Sequence, residues 1–90
     1  GNVQKWIAKN VKYPVLAMEN GIQGKVYIQF VIERDGSITD VKVLRGVDAS
    51  LDKEAVRVVK AMPKWKPGKQ RGKPVRVSYT LPINFQLSNN

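Results

Sequence analysis

The stretch "GKVYIQFVIERDGSITDVKVLRG", residues 24–46, has the pattern of a β-hairpin and decides the fold. Two runs rich in β-branched and aromatic residues flank Asp35-Gly36, a dipeptide typical of tight hairpin turns. Alternation along the first run predicts one buried face, which consists of Val26, Ile28, Phe30 and Ile32. The opposite face then carries Tyr27, Gln29, Val31 and Glu33.

The turn type determines how the two predicted strands are aligned. A two-residue turn at Asp35-Gly36 pairs Phe30 with Val41, and we favour this register. A three-residue turn instead places Asp40 opposite Phe30. A β-bulge near Thr39 would reconcile the two registers, because one extra residue shifts all the pairs beyond it.

Two helical segments precede the hairpin. The stretch "VQKWIAKN", residues 3–10, has apolar residues at helical spacing and ends at Asn10. The stretch "YPVLAMENG", residues 13–21, predicts a shorter helix, with Pro14 at its first position and Gly21 just past its end. Its larger apolar residues are expected in the core, namely Val15, Leu16 and Met18.

A further helix follows the hairpin in "SLDKEAVRVVKAM", residues 50–62. Ser50 is expected to cap it, and the acidic residues Asp52 and Glu54 lie near its positive end. Pro63 is expected to stop it. The predicted inward stripe consists of Leu51, Ala55, Val58, Val59 and Met62.

The chain closes with the longest alternation, "VRVSYTLPINFQL", residues 75–87, which predicts one half-buried strand. A helix joins it to the second hairpin strand, so these two strands are expected to be parallel, through a right-handed crossover. The predicted fold class is therefore α+β, with a three-stranded antiparallel or mixed sheet in the order 2-1-3. Two helices are expected to pack on one face of it, in a single domain over residues 1–90.

The third strand is left with a free edge, and Pro82 lies within it. Proline has no N–H, so Pro82 fits where its nitrogen faces that edge. By alternation the backbone groups of Arg76, Ser78 and Thr80 would then face the edge too. Such an edge accepts an added peptide strand, and Arg76 would favour an acidic or carbonyl-rich one. The alternative that Pro82 only prevents aggregation or marks a bulge stays open.

Charge is concentrated in "PKWKPGKQRGKPVR", residues 63–76, which holds six of the sixteen basic residues and no acidic one. The net charge is +9, so an acidic partner is an open possibility. Within this stretch Trp65 is expected to close the core, while Pro67-Gly68 turn the chain. We expect the cations to form a solvated loop.

Histidine and cysteine are both absent, which excludes thiolate nucleophiles, histidine-based triads and the common zinc sites. The carboxylates on which catalysis would depend belong to turns and helix starts, so we predict no enzyme, catalytic residue, metal or cofactor. No apolar run approaches a membrane span, and Gly1 is not a typical native start. We expect a piece of a longer protein.

Several stretches occur together: Tyr13-Pro14, "GIQGKVYIQFVIERDGSI" (residues 21–38), "EAVRVVKAMPKWKPG" (residues 54–68) and the closing strand. From about Val11 to Leu87 this set resembles the TonB C-terminal domain family, in its Bacteroidetes-type version. The resemblance implies a TonB/TolA C-terminal-like fold in the periplasm of a Gram-negative bacterium. The parent protein would be anchored in the inner membrane and reach the motor complex there through its missing N-terminal part.

The resemblance also implies a function. Such domains bind the TonB box of outer-membrane transporters as a strand added to the last strand, which couples the proton motive force to import. Here the implied peptide-binding residues are Val75, Arg76, Val77, Ser78, Tyr79, Thr80 and Leu81, with Asn10, Val11 and Lys12. The implied structural residues are Tyr13, Pro14, Trp65, Pro67 and Gly68.

Other interpretations stay open beside this one. The basic loop favours a nucleic-acid or polyanion binder, although no nucleic-acid module is present and no specific nucleic acid is predicted. The same domain type also fits a module within a membrane sensor protein. A free strand edge can moreover accept a second copy of the chain, which would give a strand-exchanged homodimer.

Overall fold

The computed structural model describes residues 3–87, which form three helices and five strands. In chain order these are α1 (Val3–Asn10), α2 (Val15–Glu19), β1 (Gly24–Ile32), β2 (Ile38–Arg45), α3 (Ala49–Lys60), β3 (Gly68–Gln70), β4 (Lys73–Val75) and β5 (Val77–Phe85). The main sheet has the order β2-β1-β5, and β3 pairs only with β4. The order of the main sheet confirms the predicted order 2-1-3.

Strand β1 is the centre of the fold and supplies most of the buried sheet surface. Its burial alternates strictly along nine residues, and the predicted inward residues are 0–6% exposed: Val26, Ile28, Phe30 and Ile32. Strand β5 adds Leu81, Ile83 and Phe85, and the helices cover this face with Ile7, Ala17, Leu51, Ala55, Val58 and Val59. The layer of helices on one face of the sheet is therefore as expected.

The hairpin turn differs from the favoured two-residue form. Glu33 and Ser37 close a three-residue loop: the amide of Glu33 donates to the carbonyl of Ser37 at 2.8 Å, and that of Gly36 to Glu33 at 2.9 Å. The carboxylate of Asp35 accepts hydrogen bonds from the amide and hydroxyl of Ser37. A type I turn followed by a glycine with positive φ explains this loop, since Gly36 has φ 89°.

Further from the turn, a β-bulge restores the register that a two-residue turn would give. The register shifts between Gln29 and Val31, so Asp40 and Val41 together lie opposite Phe30. Asp40 has φ 52°, a left-handed conformation that aspartate tolerates better than most residues. The favoured pairing of Phe30 with Val41 alone was wrong, and a bulge next to Thr39 reconciles the two registers as anticipated.

Helix α3 begins two residues earlier than its sequence pattern indicated, and its cap is Asp48 rather than Ser50. The carboxylate of Asp48 accepts hydrogen bonds from the amides of Ser50 and Leu51, at 2.9 and 3.4 Å. Ser50 lies inside the first turn and donates its own hydroxyl to the same carboxylate. Asp48, two residues upstream of Ser50, is the cap because its carboxylate reaches two free amides at once.

Helix α1 matches its predicted span, whereas α2 is shorter than predicted and has Pro14 as its N-cap rather than its first residue. The predicted core residues of α2 were wrong. Val15, Leu16 and Met18 are 50–69% exposed, whereas Ala17 is fully buried. Five residues make little more than one turn, so only one side chain of α2 can face the core. No helix within residues 3–87 is long and apolar enough to span a membrane.

The single closing strand predicted for residues 75–87 is two strands. Val75 ends β4, Arg76 lies outside both strands, and β5 begins at Val77. The expected loop is a short β-hairpin, in which Gly68 pairs with Val75 and Gln70 with Lys73. Its turn residues, Arg71 and Gly72, both have positive φ, at 53° and 77°, as a type I′ turn requires.

Replacing Gly36 by alanine tests how tightly the hairpin turn packs against the segment that follows α3. A Cβ at Gly36 would lie 2.1 Å from the carbonyl oxygen of Trp65, whereas one at Gly72 would meet nothing within 4 Å. Gly72→Ala should lower the free energy of unfolding by about 1–2 kcal/mol, the cost of a positive φ. Gly36→Ala should lower it by about 3–5 kcal/mol, since a steric clash adds a further ~1–3 kcal/mol.

Urea unfolding of both variants measures the difference, with Gly72→Ala as the control for backbone strain alone. Equal losses in the two variants would contradict the close packing of Gly36 on Trp65.

Candidate functional site

Strand β5 is an edge strand with a regular hydrogen-bonding partner on one side. It pairs with β1 in one unbroken antiparallel register, from Gly24 opposite Phe85 to Ile32 opposite Val77. The other edge strand, β2, pairs with β1 through two register shifts. Bulges bend and twist a strand, so β5 presents the straighter of the two free edges.

Pro82 indicates which backbone groups of β5 face outward. It lies opposite Tyr27 with no irregularity in the register. In an antiparallel pair, residues alternate between pointing both backbone groups at the partner and pointing both away from it. Because Pro82 has no N–H, pairing between β5 and β1 loses no hydrogen bond only if Pro82 belongs to the set that points away from β1. We infer that Ser78 and Thr80, which have the same parity, also direct their N–H and C=O groups away from β1.

The core-facing side chains of β5 are more exposed in the first half of the strand than in the second. Ser78 and Thr80 are exposed, and Tyr79 between them is 38% exposed. From Leu81 onward the alternate side chains are at most 2% exposed. The more open part of the strand is therefore Val77 to Thr80, within the predicted site, while Val75 belongs to the separate β3–β4 hairpin.

Arg76 was expected to attract an acidic peptide, and in the structure its guanidinium pairs with carboxylates of the domain itself. Its guanidinium donates to both carboxylate oxygens of Glu33, at 2.7 and 3.1 Å, and lies 3.8 Å from the carboxylate of Asp40. The hydrogen bonds from Arg76 and from Thr39 lower the pKa of the Glu33 carboxyl below its ordinary value. The charge of Arg76 is matched inside the domain, so it holds the start of β5 to the turn of the β1–β2 hairpin.

The second predicted part of the site, residues 10–12, is held by α3. Glu54 accepts a hydrogen bond from the amide of Lys12 at 2.6 Å, and Arg57 donates to the carbonyl of Asn10 at 3.0 Å. Arg57 also donates twice to the carboxylate of Glu54, each time at 2.7 Å, which with the Lys12 amide lowers the pKa of Glu54. Val11 packs against the core. Among the described residues no hydrogen bond joins this segment to β5.

Tyr13 connects that segment to the far end of β5. Its ring meets Phe85 edge-on, with 5.6 Å between the centroids, and its hydroxyl donates to the carbonyl of Ile22. Burial raises the pKa of Tyr13. Pro14 follows as the residue before α2. The structure thus places Tyr13 next to Phe85, whereas the more open part of β5 lies at the opposite end of the strand.

An aromatic cluster lies next to the more open part of β5. The ring of Trp65 is 5.6 Å from Phe30 and 5.2 Å from Tyr79, and all the ring planes are tilted by 58–59°. The amide of Trp65 donates to the carbonyl of Gly36 at 2.8 Å, which fixes the segment leading through Pro67 into β3. Trp65 therefore packs on the core face beside β5.

An open groove lies between this cluster and α1, and sequence patterns did not predict it. Its volume is about 430 Å³, and it is lined by Val3, Trp6, Met62, Pro63, Trp65 and Tyr79, with Lys64 beside it. Trp6 and Trp65 are the residues in the sequence that could have indicated an aromatic groove. Their sequence separation gave no indication that α1 and the segment after α3 meet at Tyr79, because such contacts depend on tertiary packing.

Comparison with known proteins identifies relatives over most of the chain. The family described as "Gram-negative bacterial TonB protein C-terminal" matches residues 9–87. The TonB protein of Pseudomonas aeruginosa is 36% identical over 77 residues, which are 83% of this chain and 22% of that protein. The TonB protein of Helicobacter pylori is 42% identical over 43 residues, which are 48% of this chain and 15% of that protein. The chain thus spans less than a quarter of the length of these curated relatives.

The three-dimensional comparison agrees with the sequence relatives. A solution NMR structure of the Helicobacter pylori TonB C-terminal domain superposes with a TM-score of 0.75 at 28% identity. The match covers 99% of this chain and 80% of that one. The fold and the sequence pattern therefore point to the same family.

Glu33 generates a prediction about pH. Because its pKa is lowered in the folded state, its contribution to stability is complete above its ordinary pKa of 4.5 and is lost as the pH falls through the folded-state value. Glu33→Gln should therefore be less stable than the wild type at pH 7, and the difference should shrink on acidification below pH 4.5.

Urea unfolding between pH 7 and pH 3 measures this difference. Glu19→Gln is the matched control, because Glu19 is exposed at the end of α2 and makes no hydrogen bond to the described residues. A stability difference for Glu33→Gln that stays constant over this range would show that its carboxylate is not what holds Arg76.

Proposed function

The chain belongs to the TonB C-terminal domain family of Gram-negative bacteria, and from this premise we propose that it is a peptide-capture domain. In the proposed function it lies in the periplasm and binds an extended segment of outer-membrane transporters, the TonB box. The segment adds to the outer edge of β5 as a fourth strand. The proposal includes no catalytic step and no cofactor.

The observation that carries this proposal is the straight, regular outer edge of β5. Its nine residues pair with β1 without a bulge, and its more open half offers the outward backbone groups of Ser78 and Thr80. Main-chain hydrogen bonds supply the affinity in strand addition, while alternate side chains supply the specificity. Pro82 cannot donate a hydrogen bond, so the added strand should end near it.

The larger role in energy transduction follows as part of the same proposal. A parent protein anchored in the inner membrane would contact the motor complex there and transmit force derived from the proton gradient. The hydrogen bonds between a captured segment and β5 lie side by side along the strand, so a pull along the strand loads them together. That geometry suits a contact that must carry force for a short time.

Two competing interpretations use the same surfaces. A second copy of the chain can add to the β5 edge and form a strand-exchanged dimer, which would compete with the peptide. A polyanion can bind the β3–β4 hairpin through charge. Single-stranded nucleic acids also need exposed aromatic platforms, and Trp65 is instead packed on Phe30 and Tyr79.

Proline at Ser78 tests the proposed strand addition. Ser78→Pro removes one outward N–H and adds ring atoms to the edge, so it should weaken binding of a transporter TonB-box peptide at least about tenfold. Ser78→Ala is the matched control, because it keeps the backbone N–H and should bind like the wild type. The measurement is an amide NMR titration of the labelled domain at moderate salt.

In the wild type the peptide should shift the amide signals from Val77 to Leu81 and leave those beyond Pro82 nearly unchanged. Unchanged binding in a folded Ser78→Pro variant would refute strand addition at this edge. Shifts confined to residues 10–12 would move the site to the segment held by α3.

A further inference from the structure

We propose that the captured strand is selected by two features: a bulky apolar side chain that enters the groove opposite Tyr79, and acidic residues beyond it that face the β3–β4 hairpin. This inference rests on the proposed function, because it assumes that a strand adds to β5. It specifies the chemistry of the segment that fits, namely an extended acidic–apolar peptide.

The lining of the groove indicates on which side of β5 it lies. Of the sheet residues that the structure describes, Tyr79 alone lines it, and no residue of β1 does. Its remaining walls come from α1 and from residues 62–65. The groove therefore adjoins the outer edge of β5 on the helix-covered face of the sheet.

The alternation of β5 determines which peptide side chain reaches the groove. Side chains of neighbouring strands that lie side by side point to the same face of a sheet. Tyr79 has the parity of the buried residues Leu81 and Ile83, so it points to the helix-covered face. The peptide residue beside Tyr79 therefore points there too, between Trp6 and Trp65.

An antiparallel added strand would bring this side chain especially close. The backbone groups of Tyr79 belong to the set that faces β1, so on its outer side Tyr79 would form a pair without direct hydrogen bonds. Such pairs have the shorter Cα separation, about 4.5 Å, and their side chains are in closer contact. An apolar side chain gains most in this position, because aromatic and aliphatic groups form most of the wall.

The second feature is a group of cations without internal partners next to the start of β5. Lys66, Lys69, Arg71 and Lys73 are exposed, and no carboxylate of the described residues lies within salt-bridge distance of them. A Cβ at Gly68 would lie 2.8 Å from Val77, so the hairpin packs directly against the first residue of β5. Arg76, by contrast, is matched by Glu33.

Charge complementarity therefore favours acidic residues at the peptide end that passes Val77. These cations are solvent-exposed, so each contact adds little to the affinity and is weakened by salt. Several together raise the association rate and set the direction of the strand. The groove then supplies the part of the peptide affinity that does not depend on salt.

The test uses synthetic peptides that differ at one feature each. The parent probe alternates threonine and serine, with one central leucine and two glutamates at one end. A second probe has alanine in place of leucine, a third has glutamine in place of glutamate, and a fourth carries the glutamates at the other end. NMR titrations give the affinities, and the amides of Ser78 and Thr80 report strand addition whether or not the groove is filled.

The leucine probe should bind roughly tenfold more tightly than the alanine probe, which is part of the full gain for burying a leucine because the groove is open. In Trp6→Ala the advantage of leucine should fall below about twofold, while the alanine probe binds as before. Met62→Ala, at another wall of the groove, is a second variant with the same expectation. The glutamine probe should bind severalfold more weakly than the parent at low salt, and the two glutamate placements should differ.

The outcomes separate this inference from the function on which it rests. Equal binding of the leucine and alanine probes, with shifts at Ser78 and Thr80, would retain strand addition and overturn the role of the groove. Equal binding of the glutamate and glutamine probes would overturn the role of the hairpin, as would hairpin shifts caused only by a short single-stranded DNA. If no probe shifts β5, both the inference and the proposed strand addition fail.

Discussion

The structure depends on one constraint: β1 must pair with a strand along both of its edges and bury its side chains on one face at the same time. Its nine residues pair with β2 on one side and β5 on the other, and its four inward side chains lie at the centre of the core. A chain of 90 residues buries only about 60–65% of the surface that its unfolded form exposes, so little other buried surface is available to replace these contacts. Because β1 occupies the middle of a three-stranded sheet, β2 and β5 are necessarily edges.

The two edges of the sheet differ in regularity, so they are not equally suited to pairing with a further strand. On β2 the register shifts twice, and Asp40 in a left-handed conformation bends the strand, which is how natural sheets discourage a further partner. On β5 the register is unbroken, and the outward-facing series lacks an N–H only at Pro82. The Arg76–Glu33 pair joins the residue before β5 to the end of β1, next to the hairpin turn. A preorganised edge loses less conformational entropy when a strand adds to it.

Sequence patterns predicted those parts of the fold that depend on local chemistry. The alternation of β1, the stop at Pro63 and the sheet order follow from side-chain period, backbone restriction and connection handedness. The patterns failed where distant segments compete. A five-residue helix has no usable period, so the buried Ala17 could not be told from its larger neighbours. Asp48 and Ser50 are both good caps, and the choice depends on where the chain leaves β2. The partner of Arg76 and the groove beside Tyr79 are tertiary contacts between segments far apart in sequence.

The positions of the charges and of the apolar groove suggest why the hairpin interrupts the closing strand. If residues 73–85 formed one continuous strand, Lys73 would lie on the same strand as Ser78 and Thr80. The break at Arg76 instead separates a cationic β3–β4 hairpin from a neutral edge and an aromatic groove. In the proposed complex, long-range attraction acts at one end of the captured segment, while backbone pairing and apolar burial act beside it. Charge then guides the approach of the segment, and the short-range contacts retain it, so that association and retention depend on different residues.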